Sequence, residues 1–193
     1  MNTSRMEAFS DGVIAIIITI MVLGMMEVPT KGADWVALQP VLPVFLGYVL
    51  SFVYVGIYWN NHHHMLQISE RVNGRVLWAN LHLLFWLSLF PFVTSWAGEE
   101  RFATVPSVLY GVVLLMAAMA YLVLQRSLIA SNGRDSLLAQ ATGGNPKGKL
   151  SPVFYLLGIG LSFVNTWAGT AMYVLVALMW LVPDRRIESR IAA

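Results

Sequence analysis

The chain has 193 residues, of which 58% are hydrophobic and 11% are charged, and its formal net charge is +2. Soluble domains are about 45–50% apolar and about 25% charged, and a chain this short cannot bury such an apolar excess in a core of its own. The composition therefore predicts an all-α, polytopic membrane protein and excludes a soluble enzyme, a disordered regulator and a free nucleic-acid-binding module.

Apolar stretches predict six membrane-spanning helices within a single domain over residues 1–193. A spanning helix needs about 20 apolar residues, and four stretches meet this length. A further stretch, Pro152–Val182, is too long for one helix, so we expect two short helices with a turn at Asn165–Gly169. Pro91 predicts a kink near the end of the third span. The predicted spans are residues 9–26, 36–59, 76–96, 105–124, 152–165 and 168–182.

The positions of positive charge predict the orientation. Of the twelve Lys and Arg residues, only Lys31 and Arg101 fall in loops that six spans place outside. Cytoplasmic loops carry the excess of Lys and Arg, so both termini are predicted to be cytoplasmic and the protein to lie in the cell membrane. The loop over residues 126–149 is expected to be a flexible linker. The first span is a poor signal peptide and is expected to be retained.

The spans lack the groups on which many membrane proteins depend. Pumps and proton-coupled transporters need ionisable groups at membrane depth, whereas no predicted midplane holds a carboxylate. There is no arginine ladder, no TVGYG-type filter, and no phosphate loop or nucleophile elbow. Cysteine is absent. We therefore expect no enzymatic activity, no catalytic residue, no metal site and no cofactor.

A stripe along the first span is a candidate pore lining. At about 100° per residue, five residues fall on one side of this helix: Ile16, Thr19, Ile20, Leu23 and Glu27. Ser10 and Asp11 point away from the stripe. A lipid-bathed helix is apolar all round, so a stripe alone more often faces lipid. The Thr19 hydroxyl alone more often bonds to its own helix.

A second polar group lies at the same predicted depth as Asp11. A buried carboxylate needs hydrogen-bond donors, and indole, imidazole and amide groups can supply them. The second span ends in the sequence WNNHHH, and the third span begins on the same side. We predict a polar network that packs the first three helices together, formed by Asp11, Trp59, His62, His63 and Asn80.

The three consecutive histidines allow other interpretations. Neighbouring helical positions do not share a face, and a zinc site usually needs spacing of three or four, or ligands from several segments. A hydrogen-bonded interfacial cluster is therefore favoured. The alternatives are a small transporter or metal-handling protein, and a membrane subunit that holds haem or quinone. Each would use His62, His63 and His64 together with His82.

The start of the first span resembles a known family. Its Arg-x-x-x-Phe-Ser-Asp motif is similar to the signature of the transmembrane protein 175 family, the endolysosomal-type potassium channels and their bacterial relatives. Companion features match over roughly the first three spans: Trp59 with His62-His63, Asn80-Leu81 and Pro91-Phe92. The motif itself consists of Arg5, Phe9, Ser10 and Asp11.

The resemblance implies a homotetramer of six-helix chains whose first helices line a central pore. By offset from Asp11, it implies a main constriction at Ile16, further apolar rings at Ile20 and Leu23, and a hydroxyl layer at Thr19 associated with potassium preference. It also implies a structural network made of Arg5, Phe9, Ser10, Asp11, Trp59, His62, His63 and Asn80.

The size of such a pore suggests how it selects ions. Apolar rings can close a pore by dewetting, and when slightly open they force a cation to shed part of its hydration shell. Potassium sheds water more readily than sodium. Glu27, at the external mouth, would raise the local cation concentration. The expected partners are three more copies of the chain, the lipid bilayer and permeant monovalent cations.

Overall fold

The computed structural model describes residues 3–28, 32–133, 135–142 and 146–181. These residues form α-helices and one short 3₁₀ helix (Trp35–Leu38), and contain no strand. Five residues used to predict the orientation lie outside the described ranges: Lys31, Arg134, Arg185, Arg186 and Arg190. The helices are α1 (Thr3–Met26), α2 (Val41–Gln67), α3 (Gly74–Ser88), α4 (Phe90–Glu99), α5 (Thr104–Asn132), α6 (Leu137–Thr142), α7 (Pro146–Ser162) and α8 (Thr166–Leu181).

Four helical stretches of the described chain are long and apolar enough to cross a membrane. They are α1, α2, α3 continued by α4, and α5, while α8 is apolar but shorter. The prediction of an all-α protein with several membrane-length helices is therefore confirmed. The number of spans and the location of the termini stay predictions.

The second helix begins later than the sequence pattern suggested. The predicted span started at residue 36, but Trp35–Leu38 form the separate 3₁₀ helix and α2 starts at Val41. The Asp34 carboxylate caps the 3₁₀ helix by accepting a backbone N–H three residues on, at 3.1 Å. Pro40 then lies at the junction, where its missing N–H prevents the two helices from joining.

The predicted kink in the third span is present, but it falls just before the proline. Helix α3 ends at Ser88 and α4 begins at Phe90. Pro91 has no N–H for the carbonyl one turn back. At the break, the Leu89 N–H donates to the Trp86 carbonyl three residues back, at 3.3 Å.

The prediction of a flexible linker over residues 126–149 is wrong for the part of this region that the structure describes. Helix α5 continues through this region to Asn132, α6 follows, and α7 starts before the region ends. Leu128 and Leu138 are 0% and 1% exposed. Because these apolar side chains pack into the core, the surrounding backbone is held in helical form despite its polar composition.

The last two helices form a close antiparallel pair. Helix α7 ends at Ser162 and α8 begins at Thr166, so only three residues connect them. The Asn165 side chain caps α8 by accepting two backbone N–H groups at 2.9 and 3.2 Å. At the other end of the pair, the Trp180 indole N–H donates to the Ser151 hydroxyl at 2.8 Å.

Helix α5 lies inside the bundle, whereas α1 lies at its edge. Helix α5 packs against α3, α4, α7 and α8, and α1 packs against α2, α3 and α4. In the most apolar stretch of each helix, 44% of the α5 residues are buried but only 22% of those in α1. A large apolar surface of α1 is therefore not covered by the described residues of the chain.

Candidate functional site on the first helix

Helix α1 has a buried face and an exposed face. The stripe predicted from the sequence is on the exposed face: Ile16 is 58% exposed, Ile20 45% and Leu23 52%. The buried residues recur every three or four positions, as one face of a helix requires. They are Met6, Ser10, Ile14, Ile17 and Met21. The chain thus packs one side of α1 and leaves the stripe open.

Thr19 is the polar position between the apolar residues of this stripe. Its hydroxyl donates to the Ile16 carbonyl of the same helix at 2.9 Å. This is the local bond that threonine often makes in a helix. Since only the hydroxyl hydrogen is used, the oxygen of this exposed residue can still accept a hydrogen bond or contact a cation. Glu27 is also exposed and follows directly after the end of α1.

Three buried side chains connect α1, α2 and α3 through hydrogen bonds. The Asn80 amide N–H donates to the Ser10 hydroxyl oxygen at 2.9 Å, and the Ser10 hydroxyl donates to the Met6 carbonyl at 2.8 Å. On its other side, the Asn80 carbonyl oxygen lies 2.8 Å from His62 Nε2. Ser10, His62 and Asn80 are all at most 2% exposed. The amide oxygen can only accept, so Nε2 carries the hydrogen.

A second set of contacts joins the charged start of α1 to the end of α2. The Trp59 indole N–H donates to Asp11 Oδ1 at 3.0 Å, and His63 Nδ1 lies 2.7 Å from Glu7 Oε1. The Trp59 and His63 rings stack, with centroids 6.0 Å apart and planes 18° apart. One stacked pair of rings therefore meets both carboxylates.

The structure brings part of the predicted set of residues together, in two groups of contacts. Asp11 pairs with Trp59, whereas Asn80 pairs with Ser10. Arg5 and Phe9 are exposed, and the Arg5 side chain makes no ion pair or hydrogen bond with the described residues. The structure thus places Ser10, Asp11, Trp59, His62, His63 and Asn80 in contact, and leaves Arg5 and Phe9 outside.

Glu7 is the network residue that the sequence prediction omitted. The sequence spacing could have predicted its place in the network, because Glu7 and Asp11 are four residues apart and therefore share a helix face. Trp59 and His63 have the same spacing on α2. The equal spacing lets both carboxylates of α1 meet a ring of α2 at once, Asp11 with Trp59 and Glu7 with His63.

Three of the four histidines have different hydrogen-bond or ion-pair partners, and the His64 ring lies 5.9 Å from that of His63. His62 faces Asn80 and His63 faces Glu7, while His82 accepts the Trp86 indole N–H at 3.0 Å. No group of three or more His, Asp or Glu side chains in the described residues could hold a metal ion. The metal-handling alternative thus finds no three-ligand site in the part of the chain that the structure describes.

Membrane-length helices, an unpartnered apolar face and a small buried polar network define a polytopic α-helical membrane protein. Residues 5–91 match the family model described as "Endosomal/lysosomal potassium channel TMEM175". The chain is 54% identical, over 97% of both sequences, to a protein of Chryseobacterium sp. named as a potassium channel. It is 32% identical to another so named from Streptomyces collinus, over 100% of this chain and 98% of that one. The chain therefore belongs to the TMEM175 family, whose members are ion channels and not enzymes.

A solved structure has the same fold. The crystal structure of a lysosomal potassium-selective channel TMEM175 homolog from Chamaesiphon minutus superimposes with a TM-score of 0.75. The match covers 93% of this chain and 96% of that chain, at 26% sequence identity. The likeness thus extends beyond the first three spans, where the sequence motifs lie, to nearly the whole chain.

Proposed function

We propose that this chain is the subunit of a potassium channel of the cell membrane. The observation that carries the proposal is the 54% identity with a relative named as a potassium channel, over 97% of both chains. The alignment thus spans nearly the whole of both sequences. The potassium-selective homologue with the same fold gives independent support.

The proposed channel is a homotetramer with α1 of each copy around a central axis. A single chain supplies one α1, so a closed ring of pore-lining helices requires several copies. Helix α1 is suited to this position because it is the least buried of the four membrane-length stretches. Its exposed face would meet the pore, and its buried face stays attached to α2, α3 and α4.

The narrow part of the pore is proposed to be apolar. Ile16, Ile20 and Leu23 would form successive rings roughly 4.5–6 Å apart, because each is about one turn further along the helix. These rings close by dewetting and, when slightly open, favour the cation that sheds water more readily. Four Thr19 oxygens would replace part of the lost hydration, and Glu27 would concentrate cations at the mouth. No cofactor takes part.

The polar network has a supporting role in this proposal. It contacts α1 on the side away from the stripe, where Asn80 and Trp59 hold Ser10 and Asp11. The buried hydrogen bonds among Ser10, His62 and Asn80 favour one arrangement of the three helices. The network would thus set the distance of α1 from the pore axis, with the termini on the cytoplasmic side and six crossings per chain.

A reversal-potential measurement tests the function. The purified protein is reconstituted into liposomes under opposed potassium and sodium gradients. We expect a reversal potential shifted from zero toward the equilibrium potential of potassium. Ile16→Ala widens the first ring, so larger currents and weaker potassium preference are expected. Val22→Ala is the matched control, because Val22 is an exposed apolar residue of α1 outside the stripe.

Two results would contradict these proposals separately. The absence of cation flux from correctly folded tetramers would overturn the channel function itself. Unchanged conductance and selectivity in Ile16→Ala would leave the channel intact but remove Ile16 from its constriction. Light scattering of the purified protein tests the assembly, with four times the chain mass of 21.4 kDa expected.

A further inference from the structure

An elongated cavity of about 400 Å³ lies between α2, α5, α6, α7 and α8, away from the exposed face of α1. Its volume is in the range of about 300–1,000 Å³ that small-molecule sites occupy. Tyr54 of α2 and Ile68, which directly follows α2, both line it. Since these two are 14 positions apart along the helix, the cavity extends over roughly 20 Å along α2. It is long and narrow, and so suits a chain-like ligand better than a compact one.

The deep part of the cavity is aromatic and aliphatic. The Tyr54 and Tyr155 rings lie 6.3 Å apart there, and the Tyr58 and Tyr121 rings meet at 6.0 Å about one turn nearer the mouth. Trp180 also lines the wall, where its N–H is already used by Ser151. This surface offers apolar contact to a ligand.

The mouth of the cavity is basic. Arg126 lies on α5, a little more than one turn beyond Tyr121, and Lys149 lies on α7, six residues before Tyr155. Both are therefore displaced toward the same end of the cavity. Neither makes an ion pair with a described residue, and no Asp or Glu lines the cavity. Gln125 adds an amide at this level.

This distribution of charge matches one kind of ligand. An anionic phospholipid has a phosphate headgroup that Arg and Lys can contact and an acyl chain that an aromatic, elongated wall can accept. The mouth lies at the end of the bundle that the proposed orientation places in the cytoplasm. Basic pockets between helices on that side are typical sites for anionic headgroups.

We propose that this cavity binds an anionic phospholipid of the cytoplasmic leaflet, with its headgroup between Arg126 and Lys149 and one acyl chain extending toward Tyr54 and Tyr155. The bound lipid would contact α5, α7 and the short helix α6, whose Leu138 also lines the cavity. The site is separate from the proposed pore and does not depend on conduction.

Lipid binding to the purified tetramer in neutral detergent tests the site, with native mass spectrometry as the readout. Three probes are titrated: phosphatidylglycerol, phosphatidylcholine with the same chains, and glycerol phosphate, which has the headgroup without chains. We expect saturable binding of one phosphatidylglycerol per chain, weaker binding of phosphatidylcholine and no retained glycerol phosphate. Equal binding of the first two lipids, or tight binding of glycerol phosphate, would overturn the proposal.

Variants locate the site on the protein. Both cations are exposed, so Arg126→Gln and Lys149→Gln should fold normally. We expect each to weaken phosphatidylglycerol binding by about fivefold, the usual contribution of one basic residue near an anionic lipid. Arg75→Gln is the matched control, because Arg75 is exposed on the same predicted side but does not line the cavity. Unchanged affinity in the double variant, or an equal loss in Arg75→Gln, would contradict the assignment.

Discussion

Thr19 is a polar residue in the exposed stripe of α1, and what its hydroxyl can bind depends on the hydrogen bond that it already makes. Its hydroxyl hydrogen is committed to the Ile16 carbonyl. The oxygen keeps its capacity to accept, and the residue is exposed. A ring of four such oxygens would be a weak but ordered set of cation ligands.

Removing this oxygen should change selectivity more than conduction. We expect Thr19→Ala to lower the potassium-over-sodium permeability ratio by roughly two- to tenfold, the equivalent of about one hydrogen bond, while flux persists through the apolar rings. The reversal potential in liposomes measures the ratio. Thr19→Ser keeps the hydroxyl and should retain the selectivity. If the alanine variant has the ratio of the unaltered protein, Thr19 does not contribute to ion selection.

At Asn80, a single amide satisfies two other buried groups. Its N–H donates to Ser10 and its oxygen accepts from His62. Asn80→Ala would leave both without this partner, which costs about 1–3 kcal/mol for each buried group left unpaired. We therefore expect lower thermal stability of the purified protein and a smaller yield of assembled channels.

Thermal unfolding in detergent checks the Asn80 prediction, with an expected fall in melting temperature of at least ~2 °C. Ser88→Ala is the control on the same helix, because Ser88 is exposed and its hydroxyl bonds only to its own helix. An Asn80→Ala variant as stable as the control would show that the network does not hold α1 in place.

The observed residue pairs show which parts of the candidate site could be predicted from the sequence. Helix geometry was enough to place the stripe opposite Ser10, and that arrangement is present. Depth in the membrane was enough to bring Asn80 near the start of α1. Depth does not fix rotation about the helix axis, however, and one residue turns the side chain by about 100°. This is why Asn80 meets Ser10 and not its neighbour Asp11.

Helices α2 and α4 come into close contact at Gly98. A Cβ atom at this position would lie 2.5 Å from Val44 Cα and 3.0 Å from Val44 Cγ2. Backbone cannot withdraw as easily as the end of a flexible side chain. The absence of a side chain at Gly98 is therefore what permits this approach, in the manner of small residues between membrane helices.

Gly98→Ala should separate the two helices. We expect it to destabilise the protein by about 1–3 kcal/mol, the usual cost of overpacking a close contact. Gly56→Ala is the matched control, since a Cβ on this other helical glycine meets nothing within 4 Å. The measurement is the melting temperature of each of the two purified variants. Equal melting temperatures would mean that α4 can shift without loss.

The ends of helices were predictable where a proline or a capping residue in the local sequence determines them. Pro91 indicated the break between α3 and α4, although the break falls at Leu89. The helical form of the region after residue 126 was not predictable, because its Ser, Asn and Gly residues are typical of loops. Burial of Leu128 and Leu138 overrides that local tendency, and such burial depends on contacts that are distant in sequence.

For the whole molecule, the proposed six crossings depend on the α7–α8 pair. These helices have 17 and 16 residues, or roughly 24–26 Å of length, against about 30 Å of hydrocarbon. The shortfall is small enough to be met by local thinning of the bilayer. Trp167 and Trp180 stand near opposite ends of α8, where an aromatic residue at each interface is typical of a spanning helix.

Cysteine labelling tests this topology cleanly, because the chain contains no cysteine of its own. Single variants Glu100→Cys, Asp135→Cys and Val164→Cys place thiols at exposed positions in three connections between helices. With six crossings and cytoplasmic termini, an impermeant maleimide added to intact cells should label the first and third variants. The Asp135→Cys variant should be labelled only after permeabilisation.

The Val164→Cys variant separates the competing topologies. Val164 is 87% exposed at the turn between α7 and α8, so a failure to react reflects its side of the membrane and not its burial. If it behaves as Asp135→Cys does while Glu100→Cys still labels, the pair enters and leaves on the cytoplasmic side and the chain has four crossings. If all three patterns are reversed, the charge distribution has predicted the wrong orientation, and Glu27 would then lie at the inner mouth of the pore.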